Sequence, residues 1–79
     1  MTTQQLLKRI SIDPERCGGR PCFRGTRIEV AIALDALAEG LTPDEIRGHF
    51  PSLESDDIRA AIAYGAELAR ETVWKITGS

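Results

Sequence analysis

Aromatic residues are scarce in this sequence: Phe23, Phe50, Tyr64 and Trp74 are the whole set in 79 residues. An interior with so few rings rests on aliphatic and alanine packing, a composition that suits helices better than sheets. Histidine is scarcer still, with His49 alone, and cysteine is limited to Cys17 and Cys22 with four residues between them. A structural zinc site takes four ligands and commonly a C-x2-C pair, so no metal is expected, and no other cofactor motif is present. No apolar run reaches the roughly 20 residues of a membrane span, and no signal-peptide pattern opens the chain. The expectation is a cytoplasmic setting, free thiols and no membrane partner. Internal repeats and low-complexity tracts are also missing.

What is present is one domain with a small core. A chain this short buries only about 60% of the surface that it exposes when unfolded, so partner contacts or a homodimer would support it. The net charge of -2 conceals an asymmetry. Residues 1–27 hold six basic residues against two acidic ones, a net of +4, whereas residues 28–79 hold four basic residues against ten carboxylates, a net of -6. A basic N-terminal third on an acidic body implies either a polyanion-facing surface or two halves that neutralise each other.

The positive charge centres on Gly18-Gly19-Arg20-Pro21-Cys22-Phe23-Arg24-Gly25-Thr26-Arg27. Three glycines and a proline in ten residues exclude a helix interior. Glycine reaches positive φ, and Pro21 pushes Arg20 towards extended backbone, so the stretch reads as an arginine-bearing turn or small hairpin. Ahead of it, Arg9-Ile10-Ser11-Ile12 alternates polar and apolar residues in the manner of a short strand, which Asp13-Pro14 breaks. That strand pairs either with Cys22-Phe23-Arg24 or with a second subunit.

Three helical patterns follow. Val30, Ala33, Leu34, Leu37 and Leu41 recur at three- and four-residue steps, with Glu39 as the end and Gly40 as a left-handed C-cap. Thr42-Pro43-Asp44-Glu45 is a capping box with proline at the first helical position; Ile46 and Phe50 face inward, and Pro51 stops this short helix. Ser55 is read as the cap of the third helix, with Asp56 and Asp57 in its first turn. Its stripe is Ile58, Ile62, Gly65, Ala69 and Val73, widened by Ala61 and Leu68, and it runs to about Thr72. Gly65 implies close approach of another helix. The expected fold class is therefore mainly α: a three-helix, homeodomain-like helix-turn-helix bundle with a short N-terminal β-strand or hairpin. Residues 1–8 are read as a flexible N-terminus or one helical turn, 9–28 as the basic arm, 29–73 as the helical domain and 74–79 as a tail.

The run Ile12-Asp13-Pro14, Gly19-Arg20-Pro21, Arg24-Gly25-Thr26-Arg27-Ile28, Glu39-Gly40-Leu41-Thr42-Pro43-Asp44-Glu45-Ile46 and Phe50-Pro51-Ser52-Leu53 resembles the bacterial and archaeal domain of unknown function family 433. The resemblance covers roughly residues 9–70 and is most specific over G-x-P-x-x-R-G-T-R. It implies a homeodomain-like helix-turn-helix with a small β element. It also implies similarity to antitoxins of type II toxin-antitoxin pairs, which repress their own operon and block a PIN-like ribonuclease toxin.

For DNA binding, the candidate residues are Lys8, Arg9, Arg20, Arg24 and Arg27 for phosphate contacts and Arg59 for a base edge. The start of the third helix is wrong in sign for a groove, because Glu54, Asp56 and Asp57 would be repelled by phosphates. Each arginine of the turn competes for Asp13, Glu15, Glu29 or Asp35 of its own chain. For toxin binding, the candidates are Tyr64, Leu68, Trp74 and Ile76 as apolar anchors, against packing on the third helix itself. A protein-interaction module, or a stand-alone regulator without a toxin, is the alternative. Catalysis is not expected, since a pairing of Cys17 or Cys22 with His49 lacks an orienting acid and a phosphate loop lacks its lysine.

Overall fold

The computed structural model describes residues 1–71. Its order is α1 (Thr3–Leu7), β1 (Ile10–Ser11), a 3-10 turn (Cys17–Gly19), β2 (Cys22–Phe23), α2 (Val30–Ala38), α3 (Pro43–His49) and α4 (Ser55–Glu71). The segment expected to be a flexible N-terminus or one helical turn is α1. Its Thr2 hydroxyl accepts from the Gln5 amide while the Gln5 side chain accepts from the Thr2 amide. That capping box and the burial of Leu6 define the helix despite its length.

The strands pair within the chain, antiparallel, with Ile10 opposite Phe23 and Ser11 opposite Cys22. Of the two partners considered for the Arg9–Ile12 strand, the one within the chain is thus present, and a further bridge joins Cys22 to Glu29, so β2 is flanked on both sides. Asp13-Pro14-Glu15-Arg16 makes the turn after β1, the Asp13 carboxylate accepting from the Glu15 amide at 2.9 Å.

In the helices, α3 carries the expected capping box from Thr42 and Glu45 with Pro43 at its start. Helix α2 ends as expected. Gly40 has φ +99°, its amide donates to the Leu37 carbonyl and the Leu41 amide to the Ala36 carbonyl, the paired bonds of a Schellman motif. At α4 the cap moves by one residue: Ser55 is already helical, and the Glu54 amide donates to Asp57 Oδ2 at 2.8 Å. The expected stripe on this helix is also rotated. Its inward arc runs through Ile58, Ala60 and Ala61, the alanines being fully buried, and Ile62 is left 50% exposed.

Phe23, Ile46, Leu53, Ile58 and Val30 are the largest fully buried apolar side chains of the core, so strand, turn and three helices all contribute. Helix α4 packs on α1, α2 and α3. Gly65 does face α2, but a methyl at its Cβ position would stand 3.6 Å from Leu34 Cδ1, an ordinary contact. The close approach inferred from this glycine leaves room for alanine.

Candidate functional site: the hairpin and the face of α4

The R-G-T segment turns the chain back from β2 onto Ile28 and Glu29, at the open end of the β1–β2 pair; the Phe23 amide donates to the Ile28 carbonyl at 3.0 Å. The Thr26 amide donates to the Phe23 carbonyl at 2.9 Å and Gly25 lies at φ +81°, the positive value that the third residue of a type II turn needs. The Thr26 hydroxyl donates to the same carbonyl at 2.7 Å and accepts from the Ile28 amide at 3.0 Å. Arg24 folds back over β1, its Nε donating to the Lys8 carbonyl at 2.7 Å and a terminal nitrogen to the Ile10 carbonyl at 2.9 Å. This arginine is fixed by main-chain oxygens and takes none of the carboxylates considered from the sequence.

Arg9 has the opposite surroundings. It reaches Glu54 at 2.9 Å, Asp57 at 3.3 Å and Asp56 at 3.7 Å, which ties the hairpin to the first turn of α4. The hydrogen bond to Glu54, supported by Asp57, raises the Arg9 pKa further above its already high value. Arg59 shares Asp56 at 3.3 Å, and Arg20 pairs with Glu29 at 3.2 Å while 71% of its side chain stays exposed. The side chains of Lys8 and Arg27 are exposed and, among the described residues, have neither an ion pair nor a hydrogen bond. Arg24 is hydrogen-bonded to the main chain at Lys8 and, through its own amide, to the Arg9 carbonyl at 2.7 Å. Lys8 and Arg24 therefore lie together at the open end of the β1–β2 pair, opposite the loop that joins the strands, with Arg27 following the R-G-T turn.

The apolar candidates divide. Tyr64 and Leu68 stand next to each other on α4 between two surface grooves. One groove, of about 290 Å3, lies against Arg20, Pro21, Glu29, Val30, Ala31 and Leu34. The other, of about 360 Å3, lies against Leu7, Ile10, Ile12, Glu67 and Glu71. Leu68 is 47% exposed and Ile12 59%. Ile12 and Leu34, read from the sequence only as strand and helix-stripe positions, line these grooves through the packing of separate elements. Trp74 and Ile76 lie outside the described residues.

The thiols are not free. Cys17 and Cys22 are joined by a disulfide, against the expectation, because the turn at Cys17–Gly19, with three successive residues at positive φ, folds the chain back so that the two cysteines meet. Pairing of either cysteine with His49, which is exposed in the last turn of α3, has no thiol to work with in this state. Among the described residues no group of histidine, cysteine and carboxylate side chains is placed to hold a metal ion, and no helix is long and apolar enough to cross a membrane.

Among curated proteins, none matches this chain. A crystal structure of a DUF433 member protein from Anabaena variabilis ATCC 29413 is similar to it, with 31% sequence identity and a TM-score of 0.74 over 86% of this chain and 67% of that one. Residues 10–65 match the family described as "Protein of unknown function (DUF433)", a span that takes in the hairpin, α2, α3 and most of α4. With the hairpin and its R-G-T turn inside that match, the chain belongs to the DUF433 family.

Proposed function

We propose that this chain is a DNA-binding antitoxin of a type II toxin-antitoxin pair: a non-catalytic, dimeric cytoplasmic protein that represses its own operon and occupies a PIN-like ribonuclease toxin. Helices α2, α3 and α4 supply the helix-turn-helix of this reading, homeodomain-like in plan. The observation that carries it is the position of the basic hairpin end. Arg9 links this end to Glu54 and Asp57 at the start of α4, the helix start that a helix-turn-helix directs at a groove, and the exposed Lys8 precedes Arg9 with Arg24 bonded to its carbonyl. The same contact, with Arg59 on Asp56, offsets the acids that would repel phosphates there. Phosphate contacts come from the hairpin end, and α4 is positioned by them.

A toxin would use the other end of α4. Tyr64 and Leu68 between two grooves offer an apolar anchor to a protein surface, with Glu67 and Glu71 on one rim to meet a basic partner. A mobility-shift assay on the chain's own upstream DNA tests the first half, with Arg27→Ala expected to weaken binding at least tenfold. Copurification with the neighbouring gene product tests the second, with Leu68→Glu expected to abolish it. Full-strength DNA binding by Arg27→Ala would remove the hairpin from the account.

A further inference from the structure

We infer that the Cys17–Cys22 disulfide is a redox latch on the wall of the groove between α2 and α4. The inference rests on the reading of that groove as a docking surface only for its biological use, since the latch itself has a separate readout.

Three observations converge on it. The first is backbone conformation: Cys17 has φ +56°, the one described residue other than glycine on the positive side. Side chains with a Cβ avoid that region, so a crosslinked cysteine there is held against its local preference. The second is what the loop carries. Between the two cysteines lie Gly18 and Gly19, both at positive φ, then Arg20 and Pro21, which form one side of the groove. Arg20 pairs with Glu29, and the Pro21 carbonyl accepts from the Val30 amide at 3.0 Å, so the loop reaches the first residue of α2. The third is the shortness of the hairpin, which has two residue pairs. So small a ladder is weak alone, and the disulfide fixes the loop that leads into β2.

The chemistry is thiol-disulfide exchange with a dithiol reductant. A thiolate of the reductant attacks Cys17 Sγ, since Cys17 is half-buried whereas Cys22 is 1% exposed, and the Cys22 sulfur leaves as a thiolate that takes up a proton. The reductant's second thiol then displaces Cys17 from the mixed disulfide. The reductant is oxidised to its disulfide and both cysteines end as thiols. Cys17 is then free to return to negative φ, and Arg20 and Pro21 move with it, reshaping the groove wall while the helices keep their packing.

The test uses the full chain. Protein purified without reductant and alkylated in denaturant should show no modified cysteine, and two after treatment with dithiothreitol. On partial reduction Cys17 should alkylate at least tenfold faster than Cys22. In the reduced state the Gly19 and Arg20 amides, which donate to the Arg16 and Cys17 carbonyls, should exchange at least tenfold faster, and the methyl signals of Val30 and Leu34 should shift. Ile46 in α3 and Leu53 should change in neither respect. Cys17→Ser should reproduce the reduced state with Cys22 left in place. Two alkylated cysteines in the unreduced protein, or identical exchange and methyl spectra in the two states, would overturn the latch. Loss of toxin copurification bears on the docking reading alone.

Discussion

The hairpin and the helical body share one core but secure themselves in different ways. In the body, capping boxes, the Schellman turn after α2 and pairs such as Arg70 on Glu67 at 2.7 Å all join residues a few positions apart. In the hairpin, Arg9 reaches acids more than forty positions away and Arg24 clamps the strand opposite, while the disulfide closes a local loop of five positions. Local bonds repeat wherever the sequence repeats their signature. Long-range ones exist only once the chain has folded, and they leave some cations of the same segment committed to structure and others exposed.

The largest expected effect breaks the division itself. Phe23→Ala removes a ring that is 1% exposed from the core that both regions share, and should cost about 3–5 kcal/mol in denaturant unfolding, enough to unfold hairpin and helices together. Separate transitions for the two regions would show that the hairpin is an appendage. Next, reduction of the disulfide should cost about 2 kcal/mol, the loop-closure value for so short a loop, and should lower the midpoint without altering helical circular dichroism. Thr26→Val keeps the shape of the side chain but leaves the Ile28 amide without its acceptor; a loss of about 1–2 kcal/mol by the same measurement sharpens the role given to the R-G-T turn.

The body's side of this comparison was largely legible in the sequence. Thr42-x-x-Glu45 and Gly40 mark helix ends through bonds to residues three positions away and Pro43 through its fixed φ, and these features form as read. Ser55 was displaced by one position because Glu54 and Asp57 form a cap of their own. The buried arc of α4 was misjudged at Ile62, since periodicity gives the presence of a face but not which of two neighbouring rows meets α1 and α2. For the hairpin, the basic stretch was legible and its internal bonding was not. Nothing at Arg9 distinguishes it from Arg27 until α4 arrives, and the cysteine spacing carries no sign of whether the two sulfurs meet.

The smallest stability effect is of opposite sign. Gly65→Ala should stabilise α4 by about 1 kcal/mol, because helix propensity favours alanine and Leu34 leaves room for the methyl. A destabilised variant in thermal melts would mean that α2 and α4 lie closer than the 3.6 Å contact allows.

In the proposed reading, cations of one hairpin have separate tasks: Arg9 holds α4, as its contacts with Glu54 and Asp57 show, and Arg27 is proposed to meet phosphate. The most direct measurement is the salt dependence of binding to the chain's own upstream DNA by Arg27→Ala and Arg9→Ala, with thermal melts of both. Arg27→Ala should keep its melting temperature and lose about 0.9 from the magnitude of the salt slope for each phosphate contact removed. Arg9→Ala should melt lower, by an amount that shrinks as salt is added. An unchanged salt slope for Arg27→Ala, together with an unchanged melting temperature for Arg9→Ala, would contradict the account.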